Sequence, residues 1–377
     1  MGAHRALEAQ TIMAMLKNTH LWLPSYLSRR PPQAATPTHV FFCFVDHYEP
    51  LWNKASRYQG LERVEHWFEN YPRMADNFRD ADGRPPQHTF FYPAEEYVPE
   101  YLDLLARLCG RGYGEVEVHL HHDNDTAENL KATLNNFKTK LEQHGFLSNG
   151  RYGFIHGNWS LDNSRGDGRW CGVNNELQVL RDTGCYADFT LPSAPSECQT
   201  RKINSIYYAT DDPHRPKSHN TGMDVRVGGK PNGDLLIVQG PLALNWSSRK
   251  YGLLPRIENS EVAHNAPAVA DRVDNWVAQR IGVVGKPDWV FVKVYTHGCQ
   301  EMNFNAALGS SAAEMHQHLQ DKYNDGANFV LHYVTAREVF NLIKAAEAGQ
   351  SGNPNQHRDY ALPSPPVIGT LRRGGKS

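Results

Sequence analysis

The chain has 377 residues, 40% of them hydrophobic, and its 39 Lys and Arg nearly balance 41 Asp and Glu, for a formal net charge of -2. That length suffices for one large core or two modest ones, and the charge balance argues against a nucleic-acid-binding surface or an anionic membrane partner. Six scattered cysteines without a CxxC pair argue against a disulfide scaffold and a cysteine-ligated zinc site, and fit reduced thiols in a cytoplasmic protein.

Residues 1–37 read as an arm that ends in the linker RRPPQAATPTH. The arm has no uninterrupted apolar block of the secretory kind, and no stretch of the chain approaches the ~20 apolar residues that cross a bilayer. The arm is a candidate for packing on a second copy to make a homo-oligomer. The run Val40 to Val45 predicts a buried strand stopped by Asp46 and His47. Residues 61–80 repeat their apolar positions at helical spacing, with Pro72 a kink or break. HTFFYP predicts a strand, YVPEYLDLLARLCGRG a helix closed by Gly110, and EVEVHL another strand. TAENLKATLNNFKTKLEQHG predicts an amphipathic helix with Leu130, Leu134, Phe137 and Leu141 on one face.

The alternation continues with strands at RYGFIHG, CYADFTLP, DLLIVQGPLAL, DWVFVKVYTHG and NFVLHYV. Helices are expected between and after them at NNELQVLRDTG, APAVADRVDNWVAQRIG, SAAEMHQHLQDKYND and TAREVFNLIKAAEAG, the last opened by a capping box of Thr335 and Glu338. Repeated strand–helix units predict an α/β fold, a parallel sheet closed or nearly closed into a barrel with helices outside. Residues 38–348 make up this single domain. The segment 193–233 reads as a long loop that covers or touches a substrate. Residues 349–377, rich in Pro, Gly, Ser and Arg, read as a disordered tail.

In a parallel barrel the carboxyl ends of the strands share one face. Those ends carry Asp46 and His47, then His119, His121 and Asp123, then His156, Asn158 and Trp159, then Asp188, and finally His297. Strand alternation puts Glu115, Glu117, His119 and His121 on one side. Both imidazoles are good ligands for zinc and similar metals, and a carboxylate from the first strand would complete an open site. Asp46 ends an apolar run and is costly to bury unpaired. Glu49, on the side of His47, is a weaker candidate. His122 should face away, and Asp125 with Glu128 suits a helix cap. His297, before Gly298 at a strand end, suits general acid work.

The motifs FVDHYEP, EVEVHLHHDND, FIHGNWSLDNS, DFTLPS and VYTHG, in this order, resemble those of the polysaccharide deacetylases, the nodulation-type carbohydrate esterases, over roughly Val40 to His297. The resemblance implies a distorted (β/α) barrel of about seven strands. Its activity would be removal of acetyl groups from acetylated carbohydrate with a divalent metal, zinc first. It implies Asp46 as catalytic base and His297 as general acid. His47 and His119 would be metal ligands, joined by His121 or Asp123. His156 falls where the family has an Arg that orients the base, and His47 where it has a second Asp. Trp159, with Tyr207 and Tyr208 of the long loop, would stack on sugar, and Asn158 and Asp188 would lie beside them. Competing classes are a glycoside hydrolase using Asp46 and Asp188 as its carboxylate pair, an amidohydrolase or phosphoesterase built on His-x-His, and a non-catalytic accessory of polysaccharide biosynthesis.

Overall fold

The computed structural model describes residues 17–367. Its strands are β1 (Thr38–His47), β2 (His88–Pro93), β3 (Gly114–Leu120), β4 (Tyr152–His156), β5 (Cys185–Asp188), β6 (Ile206–Ala209), β7 (Met223–Asp224), β8 (Leu235–Val238), β9 (Ala243–Lys250), β10 (Leu254–Glu258), β11 (Trp289–Thr296) and β12 (Phe329–Tyr333). The helices are α1 (Thr19–Ser28), α2 (Arg57–Ala75), α3 (Pro99–Gly110), α4 (Ala127–Gln143), α5 (Glu176–Thr183), α6 (Ala270–Ala278), α7 (Phe304–Leu308), α8 (Ser310–Tyr323) and α9 (Ala336–Glu347).

Alternation along β1 sets the architecture. Val40, Phe42 and Phe44 pack outward with Trp276, Met315 and Leu319 of the covering helices. Phe41, Cys43 and Val45 point inward with Phe91 and Ile155. A strand apolar on both sides belongs in a parallel sheet roofed by helices. β2, β3, β4, β5 and β8 follow β1 in parallel on one side, and β11 pairs with its other edge. β12 pairs with residues 38–42 of β1, beneath the stretch 44–47 that pairs with β2.

β6 and β7 add antiparallel strands beyond β8, and an irregular segment bridges the gap from there to β11. Phe291 N donates to the carbonyl of Ile281, Val284 N to Val225, and Val227 N back to Val284. Lys293 of β11 reaches across to the carbonyls of Phe189 and Leu191, at 2.6 Å each. The result is a distorted (β/α) barrel. Among the described residues no helix is long and apolar enough to cross a membrane.

Four expectations change. The final helix, α9, is not an outer helix: it lies across the amino-terminal opening of the barrel. Ala336 N donates to Thr89, Arg337 pairs with Glu115, the Phe340 ring packs on Tyr186, and Tyr208 donates to Glu347. Those partners sit at the strand edges of one end, so the helix plugs that end, with its capping box intact. The segment 193–233 is not a free cover, because INSIYYAT is apolar enough to enter the sheet as β6. Tyr207 and Tyr208 are therefore buried, the Tyr207 hydroxyl donating to the carbonyl of His219 and that of Tyr208 to Glu347.

Residues 349–367 are docked rather than disordered. Arg358 inserts among Asp80, Asp82 and Glu338, and Leu362 joins the inner cluster. Polar composition hid these anchors, and residues 368–377 lie outside the described residues. In the arm, α1 packs Trp22 against Ala194, Ile203 and Leu242, while residues 1–16 lie outside the described residues.

Candidate active site at the carboxyl-terminal mouth

The inward face of β1 ends at His47, and Glu49 follows on the same side. The inward face of β3 ends at His119, with His121 one step beyond. Fully buried His119 donates from Nδ1 to the carbonyl of Ile155 at 2.8 Å. That bond fixes the tautomer and leaves Nε2 bare. The bare nitrogen meets a carboxylate oxygen of Glu49 at 3.3 Å. Two acceptors so placed need a proton or a cation to share.

Other imidazoles crowd the same point. The His47 ring centroid lies 4.9 Å from His119 and 4.6 Å from His297, which comes from the end of β11. His121 places Nδ1 2.6 Å from Glu95 and Nε2 3.6 Å from Glu49. The Trp159 ring stands 6.3 Å from both His47 and His297. Gly157, two residues before it, is required: a Cβ there would collide with the His121 ring.

Burial, reinforced by the neighbouring imidazoles of His297, His119 and His121, holds His47 well below the ordinary imidazole range. Its lone pair is therefore free. Burial alone would raise Glu49, but the imidazoles around it, His119 first and then His297 and His121, bring it below the usual carboxylate value. Burial would lower His121, but Glu95 and Glu49 outweigh it and raise the imidazole. Glu96 is pushed up to about 7 by burial, and accepts the N–H of Leu51 at 2.7 Å, bracing the turn after Glu49. His47, Glu49 and His119 place one ligand atom each within 4.8 Å of one another. Two imidazoles and a carboxylate are a donor set of catalytic zinc, so these residues fit a divalent ion.

Not all the expected residues meet here. Asp46 is adjacent to His47 and so faces the other way. It is fully buried under the helices, accepting the N–H of Gly298 at 2.6 Å and lying 3.0 Å from His88 Nε2. Trp67 Nε1 donates to the Gly298 carbonyl at 2.9 Å, and a Cβ on Gly298 would collide with the Asp46 carboxylate. Asp46 thus clamps the turn that carries His297, and it does not reach the mouth. Asp123 is exposed and accepts the N–H of Trp170 at 2.6 Å, because the chain has left β3 and turned by then.

Asp188 is fully buried, with Thr190 donating to it at 2.6 Å from its hydroxyl and 3.1 Å from its backbone. Burial pushes this carboxyl up to about 7. With Asp46 turned outward, the Asp46–Asp188 pair of the glycosidase alternative is not assembled. His156 lies on the outward face of β4, beside Phe154, and joins a separate cluster. Asn158 is half-buried in the turn after β4, with a left-handed backbone (φ 55°). Glu95 had no periodic signal, standing outside any strand pattern. Glu49 did have one, the period of two it shares with His47.

No family model matches this chain, and no curated protein matches it. Among solved structures it is similar to a provisionally named glycoside hydrolase/deacetylase from Parabacteroides distasonis, with a TM-score of 0.45 and 11% identity over 84% of this chain and 72% of that one. A likeness so remote carries no residue role across.

Proposed function

We propose that the mouth of this barrel is the active site of a metal-dependent hydrolase that removes acetyl groups from an acetylated sugar or polysaccharide. The observation behind the metal is the bare Nε2 of His119 facing the Glu49 carboxylate, with neutral His47 beside them. The motif resemblance supports the acetylated substrate. His47, Glu49 and His119 would hold the ion, zinc being the first candidate. Such an ion supplies Lewis-acid polarisation of an acyl carbonyl and lowers the pKa of water.

The chain's own groups do the rest. The proton acceptor is His121 rather than Asp46, since Glu95 orients its imidazole and stabilises it when charged. His297, half-buried beside His47, hands a proton to the departing group. Trp159, half-buried at the same mouth, offers a ring to a sugar face.

Elemental analysis of the purified chain, followed by acetate release on a panel of N- and O-acetylated glycans, tests this reading. Glu49→Gln should lose metal from the mouth and all acetate release. A variant that keeps full turnover, or a metal-loaded chain that frees acetate from no glycan, defeats it.

A further inference from the structure

Behind the mouth, on the outer side of β4, lies a second group of metal-type donors. His122, His156, Cys171 and Glu176 bring one ligand atom each within 4.8 Å of one another. They come from the turn after β3, the end of β4, the irregular segment that follows, and the first residue of α5. His156, Cys171 and Glu176 are fully buried, and the His122 side chain is 7% exposed.

The hydrogen bonds around the group are those of metal-bound imidazoles. His156 donates from Nδ1 to the carbonyl of Gly157, so Nε2 is bare. That Nε2 has no hydrogen-bond partner, and it points at Glu176 Oε1 from 3.5 Å. His122 rests Nδ1 on Asp125 at 3.1 Å and brings Nε2 to 3.2 Å from the same Glu176 oxygen. Cys171 Sγ stands 3.3 Å from the other Glu176 oxygen. Histidine ligands characteristically anchor their second nitrogen on a carboxylate or backbone carbonyl in this way. Ligands at zinc bond lengths stand roughly 3.3–3.8 Å apart around a tetrahedron, close to these separations.

Left alone, the arrangement points an imidazole lone pair at a carboxylate in a dry interior, which is costly. Among the described residues no Arg or Lys side chain bonds Glu176. His219 adds a fully buried imidazole with neither ring nitrogen paired. We propose that His122, His156, Cys171 and Glu176 bind a structural divalent metal, zinc by their mixture of thiolate, imidazole and carboxylate donors. Binding releases the Cys171 thiol proton to solvent. The chain has no CxxC pair, and a site of one thiol among imidazoles needs none.

The site would staple a segment with unusual backbone. Asn158, Trp159, Asp162, Asn163 and Trp170 all adopt left-handed conformations, with φ from 50° to 68°. Such conformations persist where the surroundings enforce them. The metal would hold this segment, and with it the Trp159 ring at the mouth.

Cobalt(II) loading of the chelator-stripped full chain tests the proposal independently of the hydrolase reading. The proposed mouth ligands His47, Glu49 and His119 include no sulfur, so a near-ultraviolet sulfur-to-cobalt charge-transfer band that depends on Cys171 reports the second site. The band is expected in the unmutated chain, lost in Cys171→Ser and kept in Glu49→Gln, and each variant should fall from two bound metals to one. An unmutated chain without the band overturns the site, as does a Cys171→Ser variant that retains it. Should Cys171→Ser fail to fold, the band in the unmutated chain decides. Absence of acetate release with the band intact removes the hydrolase reading and leaves this one standing.

Discussion

At the amino-terminal end of the barrel, Asp80, Asp82 and His332 offer ligand atoms as close together as those at the mouth. Arg358 stands among them, 2.8 Å from Asp82 and 3.5 Å from Asp80. Nearby Glu115 takes Arg337 at 2.9 Å, and Glu338 takes both Arg84 and Arg358. At the carboxyl-terminal end, Glu49 and Glu176 face imidazoles instead, two of which present bare nitrogens. A buried carboxylate that stays ionised needs a counter-charge. One end of the barrel supplies its own guanidinium groups, and the other would leave that place to the proposed ions. Ligand-like spacing alone does not separate a metal site from an ion-pair network, whereas the identity of the counter-charge does.

The sharpest way to break this contrast is Arg358→Met. Removing one partner of a buried pair leaves charge unpaired and costs about 3–5 kcal/mol. Urea denaturation should show that loss with bound metal unchanged. A variant of normal stability would mean that the guanidinium is dispensable and the two ends are alike.

Asp46→Asn has a smaller expected effect. The carboxylate clamps Gly298 and contacts His88, so the change should lower stability by about 1–2 kcal/mol and keep metal. Abolished turnover with full stability would restore Asp46 as the catalytic base.

The smallest effect is a slope with pH. Glu117, on the inward face of β3, accepts from the Tyr186 hydroxyl and the Gly153 N–H, yet burial pushes it up to about 8. Its unfolded value is about 4.3, so the folded chain holds the extra proton between these limits. This contribution is complete below about pH 4 and drains away as pH rises towards 8. Denaturation at pH 5, 6.5 and 8 should show the decline, and Glu117→Gln should flatten it. An unchanged slope in the variant would place the titration elsewhere.

Much of the fold was legible because hydrophobic period separates strands from helices locally. The apolar run of β1 and the face of Leu130, Leu134, Phe137 and Leu141 needed no tertiary information. The position of α9 did. Its amphipathic pattern suits an outer helix equally well, and only Arg337 meeting Glu115 and Phe340 meeting Tyr186 put it across the barrel floor. The same limit hid the second cluster, since Cys171 and Glu176 are carried to His122 and His156 by a loop without periodicity. Asp46 is a different case. The period of two that grouped His119 with His121 also separates Asp46 from His47 and joins His47 to Glu49. That period already set Glu49 beside His47 as the weaker candidate, and the structure gives it the place at the mouth that Asp46 lacks.

The stopper formed by α9 has a consequence for traffic. Between that helix and the rim the interior is filled by Phe41, Cys43, Val45, Phe91 and Ile155, so the barrel has no through-channel and the rim is reached and left from one side. Under the proposed function a long polymer would not be threaded, and would only dip in an end or lay a side group over the edge before lifting away.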